Sequence, residues 1–305
     1  MGYINFLLKK FQKENIIKYN KLNFKEVDNF SVYNPSASFN YLSKTYIFGR
    51  VEKKEEKSNS WVILFKKTGS FWEPEFKFKS LKLEDPFIAF IENKFILGGT
   101  EVKKRTFSIK VKFRTVFYSG ENVFSLKRFF EGPWGMKDIR LTQLDSGEVG
   151  VFTRPMGGKF KRGRIGFKVI NSLNELTIKV INEAEIIKIP LSKDEWAGVN
   201  DIILLNKNLL GILAHFACYK GKFKERFYYP ISFYFDILEK KAFNFKILFS
   251  RADLPFGEAK TPFLYNVVFP GGITKQKKEF KISAGVGDIE AYEIILKNPF
   301  SNLKK

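Results

Sequence analysis

LEDPFIAFIENKFILGG, residues 83–99, carries the opening half of one structural repeat. An acidic pair and Pro86 open an apolar run rich in β-branched and aromatic residues. Glu92-Asn93-Lys94 then supplies a turn, and a second apolar run ends at Gly98-Gly99. That pattern predicts two short strands joined by a tight hairpin. The same design recurs along the chain, opened by Asn34 in YNPSASF, Asp85, Asp138 in MKDIRLTQL, Asn200 in GVNDIILL and Asn266 in YNVVFPGG, at separations of 51, 53, 62 and 66 residues. The matching far ends are Gly49-Arg50, Gly98-Gly99, Gly150 to Arg154, Gly211 to His215 and Gly285 to Asp288. Periods of this length with several short strands per unit mark a β-propeller, so five anchors imply an all-β, five-bladed ring.

A radial repeat fills the 305 residues as one unit. Residues 1–28 place Phe6, Leu7, Phe11 and Ile16 at loose helical spacing and read as a short N-terminal helical arm. Residues 29–305 read as the five-bladed propeller domain. The segments Ser125 to Phe130 and Ser172 to Leu176 read as single helical turns. With 35 phenylalanines the chain has enough large rings to fill the interfaces between twisted sheets.

The formal net charge of +21 favours anionic partners such as phosphate, nucleotide sugars or anionic sugars. The lysines fall mostly in pairs at expected turns, for example Lys53-Lys54 and Lys277-Lys278, which describes solvated loop ends rather than a nucleic-acid surface. Cys218 is the only cysteine, which excludes an internal disulfide and, in the apolar run HFACY, points to a buried inert thiol. The apolar patch of the first fifteen residues is broken by lysines, too short for a signal segment or a membrane span. The expectation is a cytoplasmic protein with no membrane partner.

In a propeller, inner strands start near one mouth of the channel, so polar residues at equivalent repeat positions converge in space. The converging set is Asn34, Asp85, Asp138, Asn200 and Asp201 from strand starts, with Arg50, Glu52, Arg154, His215 and Asp288 from the neighbouring second strands. Period-two alternation adds Arg140. Asp and Asn at strand starts also stabilise tight turns, so repetition alone does not separate scaffold from site. Asp85 stands out because LEDPF sets two acids at a strand entrance stiffened by Pro86. One histidine and one cysteine exclude a zinc cluster, and the local signatures of P-loop, Rossmann and serine-hydrolase chemistry are missing.

The strings YNPSASF, FGRVE, LEDPF, GPWGMKDIRL, GVFTRP, WAGVND, GILAHFA and GVGDIEAY together resemble the five-bladed propeller family of β-1,2-mannosyltransferase/phosphorylases, a former domain of unknown function related to mannoside phosphorylases. The resemblance runs from about Asn34 to Phe300. It implies inverting phosphorolysis of a terminal β-1,2-linked mannose to mannose 1-phosphate, the reverse transfer onto β-1,2-mannooligosaccharides, and GDP-mannose as a donor in some relatives. It implies no cofactor beyond inorganic phosphate as co-substrate. Carried onto this chain, Asp85 is the general acid, whose proton passes through a sugar hydroxyl in related phosphorylases. Arg140, Arg154 and His215 are the candidates for holding phosphate. Asn34, Arg50, Asp138, Asn200, Asp201, Tyr228 and Asp288 are the candidates for gripping sugar hydroxyls.

An independent chemical argument agrees. An inverting hydrolase needs a second carboxylate to activate water, whereas phosphate attacks without a base and needs a cationic cradle opposite the acid. Two other readings stay open on sequence: an inverting glycoside hydrolase with Asp138, Asp201 or Asp288 as base, and a non-catalytic carbohydrate- or polyanion-binding propeller.

Overall fold

The computed structural model describes residues 2–11, 16–54, 59–105, 108–160 and 162–301, leaving aside the side chains of 104–105 and 108–110. Five separate sheets follow one another along the chain. Blade one holds Phe30–Tyr33 and Phe39–Tyr41 as a split inner strand, followed by Lys44–Lys53, Ser60–Thr68 and Phe71–Pro74, with Asn23–Phe24 on its outer edge. Blade two runs Glu84–Ile91, Lys94–Arg105, Ser108–Gly120 and Lys127–Glu131, and blade three Arg140–Gln143, Val149–Thr153, Gly166–Ile170 and Glu185–Ile186. Blade four runs Glu195–Asn206, Leu209–Lys220, Glu225–Asp236 and Lys241–Ile247. Blade five contributes Val268–Gln276, Glu279–Val286 and Glu290–Lys297. The all-β, five-bladed propeller expected from the anchors is the fold.

The ring is closed by the N-terminal segment. Ile16–Lys21 pairs antiparallel with Glu290–Lys297 and becomes the outermost strand of blade five. The helical arm itself is Tyr3–Lys10, so the segment before residue 28 lies partly inside the propeller. Ile4 and Leu7 of that helix pack into the apolar cluster shared by blades three and four. Glu195 caps the helix, its carboxylate accepting the amides of Tyr3 at 2.9 Å and Ile4 at 2.8 Å. Leu173–Glu175 is the short helical turn expected there, but the expected turn at Ser125 to Phe130 is a strand over Lys127–Glu131. Phe117 explains the difference, since its ring meets Phe129 and Phe130 at about 6 Å and rewards an extended edge strand.

Phenylalanines fill the seams between blades. Phe152 and Phe167 of blade three meet Phe235 of blade four with centroids 4.7–5.4 Å apart. Phe39 and Phe48 of blade one pack on Phe95 of blade two. Each fully buried ring contributes about 1.5–3 kcal/mol of transfer free energy, so the seams hold each blade to its neighbours.

The repeated Asn/Asp anchors have a backbone cause. Asn34, Asp85 and Asp138 adopt φ of 45°, 49° and 59°, the left-handed region that Asn and Asp tolerate better than other side-chain-bearing residues. At Asp85 the ladder shifts between Glu84 and Phe87, and at Asn200 between Val199 and Asp201. These breaks turn the strand entrance and aim its side chain across the channel rather than along the sheet.

Deleting residues 1–21 leaves the edge Glu290–Lys297 unpaired. The expected outcome is a thermal midpoint lower by more than about 10 °C in scanning calorimetry, with aggregation in light scattering. An unchanged midpoint would mean that the N-terminal strand does not close the ring.

Candidate active site

One polar cavity of about 80 Å³ opens at the channel mouth, lined by residues from all five blades. Asn34, Arg50, Asp85, Asp138, Arg154, His215, Tyr228 and Asp288, eight of the residues expected from sequence, line it together. Segments as far apart in the chain as Asn34 and Asp288 therefore meet in one place, as the propeller geometry requires.

Asp85 is buried and its two oxygens differ. Oδ1 accepts hydrogen bonds from Asn34 Nδ2 at 2.7 Å and Arg50 at 3.1 Å, while Oδ2 has only Lys137 Nζ at 3.9 Å. Burial by itself raises the carboxyl pKa, but Arg50, Lys137 and the Asn34 hydrogen bond outweigh it and hold Asp85 below its ordinary value. Arg50 is the hub of this corner. It also binds Glu52 at 2.6 Å and Glu84 at 3.0 Å, and Glu52 is bound in turn by Ser60 and Lys260. Glu84 is pushed up by burial and by the neighbouring Asp85 charge, against the pull of Arg50.

The facing wall is cationic. Arg154 donates to Asp138 Oδ2 at 2.7 Å and to the backbone carbonyls of Ala197 and Arg162. Burial would raise the Asp138 pKa, but Lys137, Arg154, His215 and Arg140 hold it far below the usual carboxylate range. Asp138 Oδ1 has no hydrogen-bond partner, and neither does Asn34 Oδ1, although both are buried. Gly285 makes the second arrangement possible, since a Cβ there would come within 1.9 Å of Asn34 Oδ1.

His215 is buried, stacked on Tyr228 at 5.3 Å and tilted against Phe269 at 5.1 Å. Its Nδ1 lies 2.8 Å from Asn200 Oδ1, an acceptor that places the ring proton on Nδ1 and leaves Nε2 as an acceptor. Burial, then Arg154, lowers its pKa to about 3, so the ring is neutral near neutral pH.

Three expected site residues do not line the cavity. Arg140 lies flat on Phe87 at 4.2 Å and donates to the carbonyls of Asn200 and Ile139, bracing blade three against blades two and four. Its remaining nitrogen, Nη2, lies 4.0 Å from Asp138 Oδ1, behind the cavity lining rather than in it. Asn200 is fully buried, and its Oδ1 holds the His215 ring from behind the cavity lining. Asp201 turns away, its two oxygens accepting the amides of Ile202 and Ile273 at 2.8 Å each and tying blade four to blade five. Burial pushes its carboxyl up to about 6.

The cavity adds Lys137 and Arg226 to the expected set. Lys137 stands beside Asp138 in the motif GPWGMKDIRL. Arg226 lies two residues before Tyr228 on the same strand face, so period-two alternation from Tyr228 was the signal for it. Among the described residues no group of three His, Cys, Asp or Glu is placed to hold a metal ion, and no helix is long and apolar enough to cross a membrane. Cys218 is buried with its thiol raised to about 11, the inert state expected of it.

Against known proteins, the family model described as protein of unknown function DUF1861 matches residues 9–302. Among curated proteins none matches. A mannose phosphorylase from Leishmania mexicana, MPT-4, solved in complex with phosphate ion, is 34% identical with a TM-score of 0.91, over 98% of this chain and 94% of its own. A GDP-Man-dependent mannosyltransferase from the same organism, MPT-1, is 32% identical with a TM-score of 0.89, over 99% of this chain and 97% of its own. A β-1,2-mannobiose phosphorylase from Listeria innocua, at 11% identity and a TM-score of 0.65 over 88% of this chain and 91% of its own, shares the fold alone. This chain belongs to the DUF1861 family, in agreement with the resemblance carried by its motifs.

Because the folded His215 pKa lies below the unfolded value of about 6.5, the unfolded chain binds the extra proton first as pH falls. Stability from this group is complete above about pH 6.5 and is lost from there down toward pH 3, with a slope of up to about 1.4 kcal/mol per pH unit. Urea titrations at pH 5 and pH 7 should therefore differ less for His215→Gln than for the parent protein. An equal difference would place the acid sensitivity elsewhere.

Proposed function

We propose that this member of the DUF1861 family transfers a terminal mannosyl residue between β-1,2-linked mannooligosaccharides and inorganic phosphate, with inversion, giving mannose 1-phosphate in one direction and a longer chain in the other. The observation that carries the reading is the meeting, in one polar cavity, of a single carboxyl whose Oδ2 has no hydrogen-bond donor, Asp85, with the cations Lys137, Arg154 and Arg226. One acid facing a cationic cradle is what phosphorolysis needs and what hydrolysis, which needs a second carboxylate as base, does not. The similarity to the phosphorylase MPT-4 supports the same chemistry. GDP-mannose as a second donor rests on the similarity to MPT-1 and on Arg226, exposed at the cavity rim where a diphosphate would lie.

In this reading a mannosyl unit fills the centre of the cavity. Its hydroxyls meet the cavity-lining side chains of Asn34, Asp138 and Asp288 and donate to the neutral His215 Nε2. Arg154 and Lys137 hold the phosphate, aided by Arg226, so that an anionic oxygen faces the anomeric carbon in line with the departing bond. The sugar–oxygen bond breaks as the sugar–phosphate bond forms, and the departing oxygen takes a proton that originates at Asp85 Oδ2. Asp85 is ionised in the free protein because Arg50 and Lys137 stabilise its charge. A bound phosphate engages Lys137 and adds negative charge nearby, which raises the Asp85 pKa and readies it as an acid.

Asp85→Asn should lower kcat at least about 1,000-fold in both directions while leaving phosphate affinity within about threefold, measured by mannose 1-phosphate release and by calorimetric titration. Retained turnover would remove Asp85 from the acid role. Phosphorolysis consumes the protonated carboxyl and synthesis the ionised one. With ligands saturating, kcat for phosphorolysis is therefore expected to fall as pH rises, and kcat for synthesis to fall as pH drops. Parallel profiles would contradict a shared acid/base.

A hydrolytic reading keeps one specific support, Asp288. Asp138 is committed to Arg154 and Asp201 to backbone amides, but Asp288 lines the cavity, its carboxyl raised by burial and by the Asp85 charge. Omitting phosphate separates the two. Loss of β-1,2-mannobiose cleavage without phosphate is expected, and undiminished release of free mannose, abolished by Asp288→Asn, would establish hydrolysis.

A further inference from the structure

A second groove of about 270 Å³ lies on the channel-mouth face, outward from the catalytic cavity between blades two and three. It is lined by Trp134, Pro133, Met156, Phe160, Asn182 and Ile186, with short stretches of their loops. Two of its walls run straight into the catalytic cavity. Trp134 is three residues before Lys137, which bounds its Cα to within about 11 Å of that of Lys137. Pro155 directly follows Arg154. The third wall belongs to the same end of blade three, since Gly166 pairs with Thr153 on one side and with Ile186 on the other.

The chemistry of the groove differs from that of the cavity. None of its lining side chains ionises, on a chain whose net charge is +21. The nearest cations, Arg114 and Lys103 on the Trp134 ring and Lys159 on the Phe160 ring, flank the groove without lining it. Trp134 is 40% exposed, and Arg114 stacks on its indole at 4.3 Å. Arg114 is itself fixed by Glu101 at 2.7 Å and Glu131 at 2.5 Å. The indole is thus held in place before any ligand arrives, which lowers the ordering cost of binding. A rigid, uncharged aromatic platform with one amide side chain, Asn182, fits a neutral amphipathic ring: C–H face on the indole, hydroxyls on the amide and on loop backbone.

We propose that this groove is a subsite for a sugar residue of the oligosaccharide lying beyond the unit that receives or releases the mannosyl group, and that it makes the enzyme favour longer chains. The proposal rests on the phosphorylase reading above. A chain anchored on Trp134 presents its end to the cavity, and a disaccharide is too short to use the platform. Longer substrates gain binding from a contact remote from the reacting bond, which appears mainly in KM.

The test compares β-1,2-mannobiose with β-1,2-mannotetraose, at saturating phosphate, in the parent protein, Trp134→Ala and Trp134→Phe. In Trp134→Ala the ratio of kcat/KM for tetraose over biose is expected to fall about tenfold, mostly through KM, and Trp134→Phe to restore it to within about threefold. An unchanged ratio, or equal losses on both substrates, overturns the proposal, because damage to the Lys137–Asp138 loop would strike both alike. Should the parent protein make no mannose 1-phosphate from either sugar, the phosphorylase reading fails by itself. Calorimetric titration of tetraose into parent and Trp134→Ala then still decides the groove, with about tenfold weaker binding expected in the variant and equal binding refuting it. Loss of GDP binding in Trp134→Ala with tetraose binding intact would identify a nucleotide platform and likewise refute the sugar subsite.

Discussion

Arg50 holds together the part of the molecule on which everything else depends. One guanidinium, 12% exposed at its side chain, binds carboxylates of Glu52, Glu84 and Asp85. Charges in such a place survive only when each is paired, since removing one partner leaves the others uncompensated at a cost of about 3–5 kcal/mol. The cluster therefore fixes the entrance of blade two relative to the second strand of blade one. Through Glu52 and Lys260 it also fixes the loop that leads into blade five. Asp85 is aimed by this lattice and by a left-handed backbone, not by the regular course of its strand.

That arrangement requires a scaffold that does not yield. A propeller supplies it because its blades pack on one another, with aromatic seams between blades one and two and between three and four, and the ring is closed by Ile16–Lys21. The buried ties between blades are few but directional: Arg140 onto Asn200, Asp201 onto Ile273, and Arg154 onto Ala197. Each converts a charged side chain into a strut. The same residue types thus serve as scaffold when bonded to backbone and line the cavity when one polar atom is left without a donor, as at Asp85 Oδ2.

That distinction sets what could be read from the sequence. The five anchors and their spacing were legible because hairpin turns recur at fixed places and because, at Asn34, Asp85 and Asp138, a left-handed strand entrance selects Asn or Asp for its backbone. Asp85 was legible for the added reason of LEDPF. Arg140, Asn200 and Asp201, expected at the cavity, stand outside its lining for one shared physical reason. Repeat position places a residue near the axis, but rotamer and hydrogen-bond partners decide whether it faces the opening or the next blade. Arg226 was missed because it sits on a third strand, outside the repeat positions considered, and only its alternation with Tyr228 pointed to it. The closing strand was invisible because Ile16–Lys21, IIKYNK, is short, mixed in polarity and distant in sequence from its partner.

The depressed acidity of Asp85 looks at first like an argument against an acid, and it is better understood as an argument about order. With the cavity empty, three positive or donating groups face one carboxyl, and the proton is absent. A phosphate entering against Lys137 and Arg154 satisfies two of the cations that kept Asp85 ionised or Asp138 paired. Its charge acts at short range on a buried carboxyl, where screening is weak. In the proposed reaction the proton is thus drawn to Asp85 only when the nucleophile is in position. Water bound in the same place would bring no charge, would leave Lys137 free to stabilise the carboxylate, and would find Asp85 without a proton to give. An ion cluster that seems to disable the acid in the resting protein therefore favours phosphate over water as the attacking group.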